Sequence, residues 1–167
     1  MTDLALAWDA DRFAGDLLLA NGALATDDGM RTAILISLFT DARAADDAEL
    51  PEAGDDRRGW WGDALADGSG IDAGTARDAN RIGSLLWLLA RSKITDRVLQ
   101  QAHQACYDAL SWLLRDGVAA ALRVIVEAQG HTLAIGIELD RPSGPGRQRF
   151  DFTWDASTST LTSGKPS

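Results

Sequence analysis

At residue 118 the spacing of the apolar side chains changes. Before it, Val98, Ala102, Ala105, Ala109 and Leu113 recur every three or four residues, the interval that gathers side chains on one face of an α-helix. After it, Ala120, Leu122, Val124 and Val126 alternate with Ala121, Arg123, Ile125 and Glu127, the interval of a strand with one covered face. Gly117 stands at the junction, where a helix ends well on a residue that accepts left-handed backbone angles. Two more alternating runs follow. Leu133, Ile135, Ile137 and Leu139 come after a turn at Gln129-Gly130-His131, and Phe150, Phe152 and Trp154 come after a turn from Pro142 to Gly146. The C-terminal third therefore reads as a three-stranded antiparallel meander. Helices that precede it in a separate block cover one of its faces, which makes the fold class α+β. Nothing later in the sequence covers the strand Gln148 to Trp154, so an open backbone edge is expected there or along residues 120 to 126. Residues 157–167 are rich in Ser, Thr, Gly and Pro and read as a flexible tail on a single domain spanning 1–156.

Upstream of the helical block, Leu4, Leu6 and Trp8 alternate with Ala5 and Ala7 as a half-buried strand would. After a turn at Asp9 to Asp11, Leu17 to Leu19 and Ala23 to Ala25 flank Asn21-Gly22, a dipeptide suited to the positive φ angles of a tight hairpin. Thr26, Asp27 and Asp28 are placed to cap a buried helix with the stripe Met30, Ile34, Leu35, Leu38 and Phe39, ending near Thr40. Residues 41 to 56 show neither periodicity and read as an exposed acidic loop. Thr75 and Asp78 have capping-box spacing, and Ile82, Leu85, Leu86 and Leu89 extend a helix from about 76 to 91. With the helix that Thr95 caps, it forms a helical hairpin.

Charge narrows the partners. Residues 1–63 carry 14 Asp and Glu against 5 Arg, so the whole net charge of −9 lies there. Phosphate backbones and anionic lipid repel such a chain, which argues against nucleic acid and membrane surfaces and in favour of protein partners. One cysteine, Cys106, excludes an intramolecular disulfide and cysteine-based zinc sites. Asp3 and an alternating stretch follow Met1 where a leader would be basic and then apolar, and no apolar run reaches the ~18 residues of a membrane span. The chain reads as a soluble protein made in a cytoplasm.

Candidate catalytic sets are thin. His103 lies mid-helix and His131 beside a hairpin glycine, both ordinary surface or turn positions, and Cys106 falls beside an apolar helix face as a small hydrophobe. No Gly-x-Ser-x-Gly elbow surrounds Ser37, Ser84 or Ser111. Gly68 to Gly74 has dinucleotide-like glycines, but the third is one residue late and no strand precedes them. Asp63, Asp67 and Asp72 lack the alternating acids and terminal Glu of a calcium loop. Glu127 and Glu138 are the pair a glycosidase reading would need; by strand phase both point away from the core, where Arg123 and Arg149 can neutralise them. No cofactor and no metal is expected.

The segment Asp55-Asp56-Arg57-Arg58-Gly59-Trp60-Trp61-Gly62-Asp63 is different in kind. Two guanidinium groups, two indoles, two glycines and three carboxylates in nine residues suit a self-packed loop and equally a protein-binding hot spot. Arg57, Arg58, Gly59, Trp60, Trp61, Gly62 and Asp63 are the candidate interface residues. Together with Leu24-Ala25-Thr26-Asp27-Asp28-Gly29, Ile36-Ser37-Leu38-Phe39-Thr40-Asp41, Leu85-Leu86-Trp87-Leu88-Leu89 and Ala109-Leu110-Ser111-Trp112-Leu113, this segment resembles the gene-46-type baseplate family of Mu-like phages over nearly the whole chain. The resemblance implies a non-enzymatic component of a contractile-tail baseplate wedge, akin to the small proteins that initiate the sheath. It implies several copies in the assembled baseplate and partners among a larger wedge protein, the tail sheath and other baseplate subunits. It also implies residence in the virion after assembly in the host cytoplasm. A tail-associated cell-wall hydrolase is the alternative from a different class, and an acidic mimic of DNA a more distant one.

Overall fold

Helical and strand blocks segregate as their periodicities require. The computed structural model describes residues 3–4, 6–9, 14–24, 26–27, 30–60, 82–142, 146–158 and 160–163. Short antiparallel pairs occupy the N-terminal region: β1 (Asp3–Leu4) with β6 (Thr26–Asp27), β2 (Leu6–Asp9) with β3 (Ala14–Leu17), and β4 (Leu19–Ala20) with β5 (Ala23–Leu24). Asn21 at φ 53° and Gly22 at φ 79° form the tight turn between β4 and β5 that the dipeptide predicts. The first half of the hairpin Leu6 to Leu17 was legible only as a strand. Of the positions read as its buried face, Leu4 is 40% exposed, and the side chains of Leu6 and Trp8 lie outside the described residues.

Helix α1 (Arg31–Phe39) follows, but its entry differs from the expected cap. Thr26 and Asp27 pair in β6, Asp28 lies outside the described residues, and the N-cap is Met30 in the left-handed region at φ 67° with no side-chain cap hydrogen bond. Thr32 Oγ1 donates instead to the Leu4 carbonyl at 3.2 Å, tying the helix to β1. The helix expected over 76–91 is corrected in its described half: only Leu86–Leu89 are helical, as a single 3-10 turn. Residues 76–81, with Thr75, lie outside the described residues. The next helix, α2 (Asp96–Leu110), is capped as predicted, with Val98 N–H donating to Thr95 Oγ1 at 3.3 Å. Ser111 N–H bonds to the Asp108 carbonyl at 3.2 Å, a tighter hydrogen bond than the helical one, and α3 (Trp112–Arg115) continues beyond that break to Gly117 at φ 69°.

The period-two region forms β7 (Ala121–Gln129), β8 (Thr132–Asp140) and β9 (Arg147–Asp155), each paired antiparallel to the next. Gly130 at φ 63° heads the two-residue loop between β7 and β8. A fourth strand, β10 (Thr160–Ser163), pairs with β9 through Thr160 and Asp155, Leu161 and Trp154, and Ser163 and Thr153. This corrects the expectation that Gln148 to Trp154 has nothing beside it: the sheet order is β10-β9-β8-β7, and β7 is the long strand left at an edge. Residues 164–167 of the expected tail lie outside the described residues.

Register sorts the side chains. Leu133 lies between Ala128 and Trp154, Ile135 between Val126 and Phe152, and Ile137 between Val124 and Phe150, all on one face. That face packs against Ile34 and Leu38 of α1, Leu86 and Leu89 of the 3-10 turn, and Val98, Ala102, Cys106 and Leu110 of α2. Each large aliphatic side chain so buried contributes roughly 1.5–3 kcal/mol. The buried stripe of α2 recurs every fourth residue, so Ala105 and Ala109, read as its centre, are only half-buried and Cys106 takes the central place. Phe39 meets Phe152 edge to face at 5.6 Å, and Trp112 Nε1 donates to Ser37 Oγ at 3.1 Å, joining α1 to the sheet and to α3.

Burial pushes the Cys106 thiol up to about 12, so the neutral thiol, not the reactive thiolate, is present at neutral pH. A thiol-labelling disulfide reagent at pH 8 is expected to react with the native protein only as fast as the protein unfolds, and stoichiometrically in urea. Rapid labelling of the folded chain would contradict this packing.

Candidate protein-binding surface

The arginine and tryptophan loop is reached from α1. After Phe39 the chain leaves the helix in extended conformation at Thr40, and Asp41 forms a parallel bridge with Ser84. Ser84 N–H donates to the Thr40 carbonyl at 2.9 Å, Ala42 N–H to the Ser84 carbonyl at 3.0 Å, and Ser84 Oγ to the Leu38 carbonyl at 2.6 Å. The contact needs glycine at 83: there φ is 108° and a Cβ would stand 2.5 Å from the Thr40 oxygen and 2.9 Å from the Ala42 nitrogen.

Onto this stitch the loop folds back. The Arg57 guanidinium donates to the carbonyls of Ala45 and Ala48, 3.3 Å to the second, and Ala44 N–H donates to the Arg57 carbonyl at 3.1 Å. Arg58, held in the left-handed region at φ 44°, donates its backbone N–H to Asp56 Oδ1 at 2.8 Å. Its guanidinium pairs with Asp41 and lies 4.9 Å above the Trp87 ring, whose Nε1 donates to the Ala42 carbonyl at 2.8 Å. The hydrogen bond to Asp41 raises the Arg58 pKa, fixing its charge. Gly59 passes so close to Arg43 that a Cβ would stand 3.0 Å from the Arg43 Cβ. Trp60 is 36% exposed at the end of this platform. Trp61, Gly62 and Asp63, and with them the glycines 68 to 74 and Asp67 and Asp72, lie outside the described residues.

Arg57, Arg58 and Gly59 hold the loop's own shape, while Trp60 presents apolar surface. Sequence reasoning missed the partners on the other side, Asp41, Ser84 and Trp87, because they lie far away in the chain and their run carried no polar motif.

It also missed a second surface. Leu19 and Leu24 face each other across β4 and β5 and are 73% and 47% exposed, with Leu17 and Leu18 also exposed. The signal was present: three consecutive leucines cannot all point to one side of a strand. Exposed apolar clusters of this kind mark contact sites more often than idle surface.

The carboxylates of the glycosidase reading are not arranged for it. Glu138 sits opposite Arg123 and bonds Arg149 at 3.3 Å, and Glu127 is four residues further along the strand. At about 3.4 Å per residue the two lie roughly 13 Å apart along an open sheet face, beyond the ~5–9.5 Å of a hydrolytic pair. Among the described residues no group of His, Cys, Asp and Glu is gathered to hold a metal ion, and no helix is long and apolar enough to cross a membrane.

Residues 30–146 match the family model of the phage protein GP46. The chain belongs to that family. It is 42% identical to the baseplate protein gp46 of Escherichia phage Mu over 146 residues, 86% of this chain and 90% of that one. It is 37% identical to the Mu-like prophage FluMu protein gp46 of Haemophilus influenzae over 156 residues, 92% and 98% of the two. No solved structure matches the chain. In this GP46 chain the loop at Asp41, Arg58 and Trp87 is held by contacts with distant segments as well as within the motif.

Gly83→Ala is expected to cost at least about 2 kcal/mol, since backbone atoms block the added carbon and φ is unfavourable. Arg58→Ala should cost about 1 kcal/mol through the lost ion pair and ring contact. Urea unfolding of both variants measures this order; equal effects would mean the stitch and the loop are not separate.

Proposed function

We propose that this GP46 chain is a non-enzymatic structural subunit of the baseplate of a phage or phage-derived contractile tail. Its place is in the wedge, in several copies, binding a larger wedge protein and helping to start the sheath. The breadth of its likeness to the Mu baseplate protein carries the reading. Two surfaces support it: the Arg57 to Asp63 segment, ending for the described residues in half-exposed Trp60, and the exposed leucines of β4 and β5. Aromatic side chains on a rigid support are typical anchors of protein interfaces.

The test is genetic and biochemical together. Tails made without the gene should lack baseplates, and the wild-type chain supplied in trans should restore them. Leu19→Ser with Leu24→Ser alters exposed positions and should cost the monomer about 1 kcal/mol or less, while Trp60→Ala trims a partly covered ring and should cost about 1–2 kcal/mol, leaving both variants folded. Incorporation into tails should nevertheless fall tenfold or more, as expected when an interfacial apolar anchor is lost. Normal baseplates without the gene would overturn the structural role. Peptidoglycan cleavage abolished by Glu127→Gln would establish the hydrolase in its place.

A further inference from the structure

The long strand β7 stands at one edge of the sheet, and its sequence is nearly symmetric in the placement of charge and bulk about Ile125. β7 runs nine residues against β8 with no break in register and contains no proline, and among the described residues no strand pairs with its other side. Edge strands are ordinarily blunted by prolines, bulges or short length, and β7 has none of these. The two-residue loop at Gly130 and His131 closes on Gln129 opposite Thr132, so odd-numbered residues exchange backbone hydrogen bonds with β8. Leu122, Val124, Val126 and Ala128 therefore direct their N–H and C=O groups to the open edge.

The outer-face charges carry the argument further. On β8 and β9 they are paired within the chain: Arg149 with Glu138 and Asp151, and Arg147 with Asp140. Among the described residues, Arg123 and Glu127 on β7 are exposed and make no close ion pair: Glu138, which faces Arg123, is held by Arg149, and Glu127 feels Arg149 only at longer range. We infer that β7 pairs antiparallel with β7 of a second copy of this chain, with the two-fold axis at Ile125. In that register Val124 lies opposite Val126 of the second copy and Leu122 opposite its Ala128, which are the positions whose backbone groups face the edge. Arg123 then lies opposite Glu127 of the second copy, and the symmetric pair repeats it. Ile125 meets its own mate at the axis. A two-fold contact must be complementary to itself, and an Arg and a Glu placed symmetrically about an isoleucine satisfy that condition. The result is a continuous eight-stranded sheet. This contact goes beyond the wedge and sheath contacts proposed above and does not depend on them.

The purified full chain should dimerise reversibly in sedimentation velocity across a micromolar concentration series, with weaker association at high salt. R123E alone and E127R alone place like charges opposite each other, and each should weaken self-association about tenfold or more. An equimolar mixture of the two single variants should recover the dimer, because each introduced charge then faces its opposite, and so should the double variant R123E/E127R. Recovery in the mixture excludes misfolding as the cause of the loss. Amide exchange should slow at Leu122, Val124, Val126 and Ala128 as concentration rises. A chain monomeric throughout, a dimer indifferent to both charge reversals, or protection elsewhere would overturn the proposal. So would protection of these four amides only when another baseplate protein is added, which would assign the edge to that protein instead.

Discussion

A four-stranded sheet with one apolar face has to be covered on that face and only there, and the rest of the fold follows from how this chain does it. The covering helix α2 presents Ala102 and Cys106 at its centre, side chains small enough to let its backbone come close to β7, while the same cluster takes in the large residues Leu133, Ile135 and Phe152. At Ser111 both the backbone N–H and Oγ donate to the Asp108 carbonyl, which breaks the helix before it continues as α3. The remaining apolar surface near Phe152 is closed by α1 and near the end of β9 by the 3-10 turn, where Arg91 N–H donates to the Ala156 carbonyl at 2.7 Å. The opposite face, lined by Arg149, Glu138 and Asp151, needs no cover because its charges satisfy one another in water.

Where sequence and fold agree, the information was local. The change of period at residue 118, Thr95 as a cap, Gly117 as a stop and Asn21-Gly22 as a turn each act within a few residues, and each is present as expected. Disagreements arise where a distant partner decides. Ile82, Leu85, Leu86 and Leu89 have helical spacing, yet the backbone before Leu86 is taken by Thr40 and Ala42, and hydrogen bonds to another segment prevent helical ones. Thr26 and Asp27 are good caps that β1 captures as strand. Strand β10 was hidden because Thr160 to Ser163 is polar enough to read as tail, and its pairing rests on backbone groups and on Leu161 alone among its large apolar side chains.

The candidate site was legible as a composition and not as a geometry. Arg57 and Arg58 adjoin in sequence, which suggested one shared role, but they reach opposite ways: one to the carbonyls of Ala45 and Ala48, the other to Asp41 and Trp87. No spacing rule connects Arg58 with Trp87, because the pairing is made by the bridge between Asp41 and Ser84, which joins segments over forty residues apart. The exposed leucines at 17 to 19 escaped notice for a simpler reason: apolar letters were read as core, although strand geometry forbids that for at least one of them.

The internal commitment of the two arginines changes what a partner would encounter at this loop. Their guanidinium groups are already held by Asp41 and Asp46 and by backbone carbonyls, so neither is free to reach for a partner's carboxylate. What remains is a platform whose shape is set before contact, so docking there forfeits little conformational freedom. Association at such a surface would proceed at the unhurried rate of orientation-limited encounter and persist through slow release. In a machine whose parts meet once and must then bear load together, tenacity matters more than capture speed.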